Sequence, residues 1–167
     1  SESEHPERLM DIIDTHVSGH FPDLSEVEIV LLGVMETRRN GSAMSAESPN
    51  VIREKLYPLF HNRLRVKIAD LGNITPGNTS YDTDHAVKVV VKNLIDRKIA
   101  VVIMGGTQEL TFANYTAYEV LETTVNLAVI DASIDLGEFR KELSPSNYLS
   151  KIVLHDPSYL FNLSVLG

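Results

Sequence analysis

Asp131 and Asp135 stand four residues apart at the end of an apolar run, in "VIDASID" (129–135), with Ser133 between them. Two carboxylates at one strand end offer hard oxygen ligands to a divalent cation. The same pair also reads as turn chemistry, with Asp131 closing the strand and Asp135 serving an Asx turn or a helix cap. "MGGTQEL" (104–110) is a second such stretch. Its Gly105-Gly106 pair permits positive φ or a close backbone approach, which suits either an anion nest or a tight strand-to-helix turn. It matches neither G-x-G-x-x-G nor G-x-x-x-x-G-K-[ST], so a nucleotide loop has no support. "ETRRNG" (36–41) presents Arg38 and Arg39, whose guanidinium forks suit carboxylates and equally suit surface pairing with Glu. His16 and His20 have the i, i+4 spacing that chelates metal on a helix, although Gly19 between them works against a helix there. His85 and His155 stand alone near turns.

The elements that must position these residues alternate between apolar runs and amphipathic segments. "VEIVLLGV" (27–34), "LRVKIADLG" (64–72), "IAVVIM" (99–104) and "VNLAVIDAS" (125–133) read as strands, the first as one buried on both faces. A last strand is expected near Leu163 to Leu166. Between them the periodicity predicts helices. One runs from Pro6 to about Val17, on Leu9, Met10, Ile12, Ile13 and Val17. Another opens at Ser48-Pro49, with Pro49 in the first turn and Val51, Ile52, Leu56, Leu59 and Phe60 as its buried stripe. A third begins after an N-cap at Asp82 or Thr83, a fourth covers Glu109 to Glu122, and a short one lies near Ser146 to Ile152. Strands alternating with helices imply βαβ units and a parallel sheet with helices on both faces. Ligands then bind outside the carboxyl ends of the strands, which places "ETRRNG", "MGGTQE" and "DASID" along one edge.

Composition narrows the function classes. A chain of 167 residues is about one domain. The formal net charge of -8 argues against a nucleic-acid surface and disfavours anionic membranes. The longest apolar runs are far too short to span a bilayer, and "SESEHPER" is no signal peptide. With no cysteine there is no disulfide, no zinc-thiolate site and no thiol nucleophile; a reducing cytoplasm is the expected compartment. "LFNLSVLG" ends in an apolar strand without a polar tail, the pattern of a sequence cut within a larger domain.

In order along the chain, these stretches resemble the ureohydrolase family of arginase, agmatinase and especially formimidoylglutamase. "VLLGVMETRRNGSAMSAESPNVIREKL" is similar to the family's first strand, its substrate-side loop and the following helix, with Ser48-Pro49 through Ile52-Arg53 in place of Gly-Pro-x-x-[IL]-R. "KIADLGNI" resembles the Asp-x-Gly-Asp strand end, "VVIMGGTQELTFANY" the G-G-[DGS]-H segment, and "LAVIDASIDLGE" D-A-H-x-D. The resemblance implies a three-layer α/β/α fold with a mainly parallel sheet, arginase-like. Residues 1–167 would then be a single α/β domain, the N-terminal half of a domain about twice this length.

Family members hold two Mn²⁺ ions that activate a bridging hydroxide against a guanidinium or amidine carbon. By this resemblance the first histidine ligand falls at Gln108. Asp131 and Asp135 are retained, and the histidine between them is Ser133; two further carboxylates belong to a later S-x-D-x-D segment. Arg38, Arg39 and Asn40 take the substrate-side loop. Neutral Gln and Ser oxygens are poor Mn²⁺ ligands beside imidazole. The leading expectation is therefore a non-catalytic homologue with a degenerate binuclear manganese site. No cofactor is expected, and manganese is the one if the site functions. The alternative is an active metal-dependent hydrolase of linear amidines or guanidines with an altered, single-metal site on Asp131 and Asp135. A nucleotide-binding doubly wound domain is a third reading. The expected partners are a small guanidino or amidino ligand and either a second copy of the chain or the missing C-terminal half, because half a parallel sheet leaves an open apolar edge.

Overall fold

A computed structural model describes residues 8–39, 46–61 and 65–167. Its principal sheet has four parallel strands in the order β1 (Ile13–Thr15), β3 (Ile68–Ile74), β2 (Ile29–Val34), β4 (Ala100–Met104). A separate parallel pair is formed by β5 (Val125–Ile130) and β6 (Leu160–Leu166). The connecting helices are α1 (Ser48–Leu56), α2 (Ser80–Asp96), α3 (Leu110–Val120) and α4 (Tyr148–Val153). This is the layered α/β architecture expected from the alternation of runs.

Strand β2 is central because both of its faces are apolar. Val30, Leu32 and Val34 point to the α2 and α3 side, where they meet Ala69, Val87, Val91, Leu94, Leu110 and Ala113. Leu31 points the other way, into a cluster with Ile13, Met104, Leu56 and Tyr57 under α1. Each fully buried Val or Leu side chain here is worth about 1.5–3 kcal/mol relative to exposure, so these two small cores fix which helix covers which face.

Several local expectations are corrected. The N-terminal helix is absent from the described part of its span: Leu9–Asp11 is a single 3-10 turn, and Ile13–Thr15 is strand β1, paired with β3. Met10 and Val17 are exposed, so the apparent stripe is not a core face; branched Ile12, Ile13 and Thr15 favour extended backbone. Strand β3 begins four residues later than the expected start at 64. Helix α1 starts at Ser48 with Pro49 in its first turn, so the N-cap position falls to Glu47, which makes no side-chain cap bond, and not to Ser48. Of its proposed stripe, Val51, Ile52, Leu59 and Phe60 are exposed. Charge fastens this helix instead. Arg53 donates from Nε and Nη2 to both oxygens of buried Asp70 at 2.7 and 2.8 Å, and Tyr57 Oη donates to Asp70 at 2.7 Å.

Helix α2 starts earlier than expected. Thr79 is the N-cap, accepting from Asp82 N while Asp82 accepts from Thr79 N, a reciprocal capping box. Asp82 was expected as the cap itself and is its N3 partner. Strands β5 and β6 bury alternate residues against α3 and α4, through Val125, Leu127, Val129, Leu160, Leu163 and Val165. Their opposite face is open, with Ile130 85% and Phe161 80% exposed.

Candidate functional site

The carboxyl ends of β4 and β5 meet at one place. After Met104 the chain turns through Gly105 and Gly106, at φ 75° and 69°, a region L side chains rarely adopt. A Cβ on Gly105 would also press into the Pro49 ring at 2.5 Å, and one on Gly106 would crowd the carbonyls of Val34 and Glu36. Turn geometry and packing therefore account for both glycines. The turn delivers Gln108 to the sheet edge, where its Nε2 donates to Asp131 Oδ2.

Around Asp131 the other resemblance-derived positions gather. Ser133 N donates to Asp131 Oδ1 at 3.2 Å, and Ser133 Oγ donates to Asp135 Oδ1 at 3.4 Å. Asp135 Oδ2 is buried without a hydrogen-bond partner. Strand β6 holds the base of this loop, because Asp131 N donates to Leu166 O at 2.9 Å. The structure thus brings Gln108, Asp131, Ser133 and Asp135 together. It adds Tyr148, which sequence reasoning missed. This residue is buried at the start of α4, and burial pushes its phenol up, with Asp135 and then Asp131 adding to the shift. Its only sequence signal was a phenol in the short helix that follows the aspartate loop.

The arginine loop is built differently from the expectation that it faces a ligand. Arg38 wraps Glu36, donating from its own N–H and from Nε at 2.9 Å, and again from Nη2; Nη1 donates to Asn78 O at 2.9 Å. Thr83 Oγ1 donates to the same carboxylate at 2.8 Å. The Arg38 hydrogen bonds hold Glu36 at about 2, well below the usual carboxylate range, against the burial that raises it. Arg39 pairs with Asp84 at 3.0 and 2.6 Å and lies over the Tyr81 ring. Arg38 is thus committed to Glu36, Asn78 and Thr83, and Arg39 to Asp84 of α2; Asn40 lies outside the described residues. Glu109 is fully buried. Its Oε1 accepts from Thr107 Oγ1, and its Oε2 has no partner. Burial raises its pKa; the Thr107 hydrogen bond and Arg39 oppose the shift, and Asp84 adds to it.

The histidines stand apart from this cluster. His16 and His20 are not on a helix: Val17 and His20 close a turn through Gly19 at φ 87°. There His16 Nδ1 is bonded to His20 O at 2.9 Å, and His20 Nε2 to Asp14 Oδ1 at 2.7 Å. His155 Nε2 lies 3.0 Å from Glu119 Oε2, edge-on to Phe112 and Tyr115. Among the described residues, no group of three or more His, Cys, Asp or Glu side chains could hold a metal ion. The donors gathered at the strand ends are two carboxylates, an amide, a hydroxyl and a phenol. That set does not fit a pair of Mn²⁺ ions, whose combined charge of four needs more anionic and imidazole ligands.

No family model matches the sequence. The chain is 27% identical over 125 residues to the formimidoylglutamase of Lysinibacillus sphaericus (strain C3-41), an alignment covering 72% of this chain and 39% of that protein. The crystal structure of formimidoylglutamase from Bacillus subtilis subsp. subtilis str. 168 matches 100% of this chain and 54% of its own, at 17% identity and a TM-score of 0.79. The Trypanosoma cruzi formiminoglutamase determined with Mn²⁺ matches 89% of this chain and 53% of its own, at 18% identity and a TM-score of 0.74. The chain spans about half the length of these solved structures. In sequence and in fold it is similar to the ureohydrolases, and the architecture expected from its motifs is the one it has.

Proposed function

We propose that this is a ureohydrolase-fold protein whose strand-end site works without the binuclear manganese of its relatives: a non-catalytic, cytoplasmic homologue that binds a small guanidino or amidino cation. The observation that carries the reading is the Gln108 amide donating to Asp131 Oδ2. An N–H donor occupies the carboxylate lone pair that a cation would need. Ser133 supplies two more donors, from its N–H and its hydroxyl, to Asp131 and Asp135. With both carboxylates only partly satisfied, a planar cation with several N–H groups matches the acceptor positions that remain. Nothing in the acidic composition favours nucleic acid, and no helix among the described residues is long and apolar enough to cross a membrane.

One observation favours a second reading. Asp135 Oδ2 is buried without a donor and shares its surroundings with the Tyr148 phenol, so one hard cation on oxygen ligands is chemically reasonable there. That is the altered single-metal hydrolase of linear amidines or guanidines. Manganese titration by calorimetry separates the two, on the longest natural form of the protein with the 167-residue chain alongside. The non-catalytic reading expects no tight manganese in either, and measurable manganese affinity in the double variant Gln108→His, Ser133→His. One tight site abolished by Asp131→Ala selects the second reading. Two tight sites in the unaltered protein sink both.

A further inference from the structure

Helix α2 carries a stripe that changes character along its length. Val90, Leu94 and Arg97 recur at spacings of three and four, so they share one face. Leu94 is buried in the cluster that holds Leu32 and Ala69 of the sheet, and Val90 is partly buried against it. Arg97, the C-cap residue, is exposed, and its guanidinium has no hydrogen bond or ion pair among the described residues. The nearby acids are engaged elsewhere. Asp96 accepts from Lys92 Nζ at 2.8 Å, and Asp23 accepts from the N–H and the hydroxyl of Ser25, both at 3.0 Å.

Between this stripe, strand β3 and the Phe21–Leu24 segment runs a groove of about 540 Å³. Leu32, Leu71 and Ile74 supply its floor, Val89 and Val90 one wall, and Pro22 and Leu24 the other. Asn93 and Arg97 bring the polar groups of α2 to it. None of its lining residues belongs to the cluster of Gln108, Asp131, Ser133 and Asp135. From Val89 to Arg97 the helix rises about 12 Å, the reach of a medium-length acyl chain laid along it.

We infer that this groove binds an apolar monocarboxylic acid, its hydrocarbon chain on Leu71, Val90 and Leu94 and its carboxylate on Arg97. The volume is that of a small-molecule site, which is mostly apolar with few polar groups to fix orientation. One unpaired guanidinium at the end of an apolar floor selects an amphiphile with a single anionic head, and its fork of donors fits a carboxylate. A neutral hydrocarbon would leave that cation unused, and a polyanion would need more than one. The inference rests on neither the manganese reading nor the ligand at Asp131, so it fails separately from them.

Methyl-resolved NMR on the longest natural form of the protein tests it, with octanoate and the uncharged octanamide titrated separately. Octanoate is expected to shift the methyls of Leu24, Leu71, Val90 and Leu94 saturably while those of Leu127 and Val129 stay still. It is expected to bind about fivefold more tightly than octanamide, the worth of one exposed ion pair. Arg97→Gln should bring the two affinities together. Val89→Trp, which fills the groove from a position 43% exposed, should abolish the shifts. No saturable shift, equal affinities in the unaltered protein, or binding that persists in Val89→Trp overturns the inference. Shifts centred on Ile130 and Leu166 overturn it too, since they mark general adhesion to an exposed sheet face. So do groove methyls that move with protein concentration alone, because a second copy would then be the occupant.

Discussion

At the scale of single residues, this protein holds two of its buried carboxylates, Glu36 and Asp70, with arginine. Glu36 has its pKa lowered to about 2 by Arg38. The folded state therefore holds its proton less tightly than the unfolded chain does. Its contribution is complete above the ordinary value of 4.5 and is lost as pH falls toward 2. Glu36→Gln is thus expected to flatten the acid limb of a urea-midpoint profile between those values; a limb of unchanged slope would refute the assignment. Asp70 is the second case, with the Arg53 fork on one side and Tyr57 Oη and Gly72 N completing its bonds. Arg53→Ala strands a buried carboxylate and is expected to cost about 3–5 kcal/mol by chemical denaturation, whereas an exposed ion pair such as Lys92–Asp96 would cost under about 1 kcal/mol. Little of this was legible in the sequence. Gln108, Asp131, Ser133 and Asp135 could be set side by side because motif order names residues at strand ends. The commitments of Arg38 to Thr83 and of Arg39 to Asp84 could not, since partners 45 residues apart are decided by how α2 docks.

At the scale of elements, the strands were readable and the helix boundaries less so. A run such as "IVLLGV" has one good home, a strand buried on both faces. Boundaries depend instead on which of several capping residues wins, and around α2 the Thr79 box outcompeted Asp82 and Thr83 as first cap. Thr79→Ala is expected to cost about 1 kcal/mol. The other end of a helix offers the converse test. Glu122, just past α3, adopts φ 52° and Lys98, just past α2, φ 62°, where glycine is the usual occupant. Glu122→Gly relieves that strain and is expected to stabilise by up to about 1 kcal/mol. A thermal midpoint that falls instead would mean that the Glu122 side chain contributes contacts outweighing its backbone. The N-terminal stretch misled for a different reason. Five apolar residues fell at helical spacing, but of these Ile13 alone is buried, and periodicity reports a face only when the face is covered.

At the scale of the whole molecule, the unevenness of apolar burial stands out. The outer face of β5 and β6 exposes Ile130, Phe161 and Leu166, with Ile134 and Leu136 in the adjoining loop. Contiguous patches of that kind drive association. The 167-residue chain alone is expected to self-associate at micromolar concentration, and Ile130→Lys with Phe161→Lys to shift sedimentation toward monomer. Sedimentation as a monomer without those changes would count against the patch being adhesive.

Gly33 sits near the carboxyl end of β2, the one small residue in an apolar run. A side chain there would collide with the Asn73 amide and approach Pro49 Cβ to 2.8 Å. Asn73 is itself engaged, accepting from Arg53 Nη1 at 2.6 Å and donating to Asn50 at 2.9 Å. The glycine is therefore the receiving half of a fit whose other half was set two elements away. In a lineage drifting from its relatives, this fixes an order of events. Asn73 must shorten, and Arg53 find another acceptor, before position 33 can accept even alanine. Alanine at 33 should be tolerated better with Asn73→Ser already present than without it, so the two substitutions are historically linked although neither reaches the strand-end site.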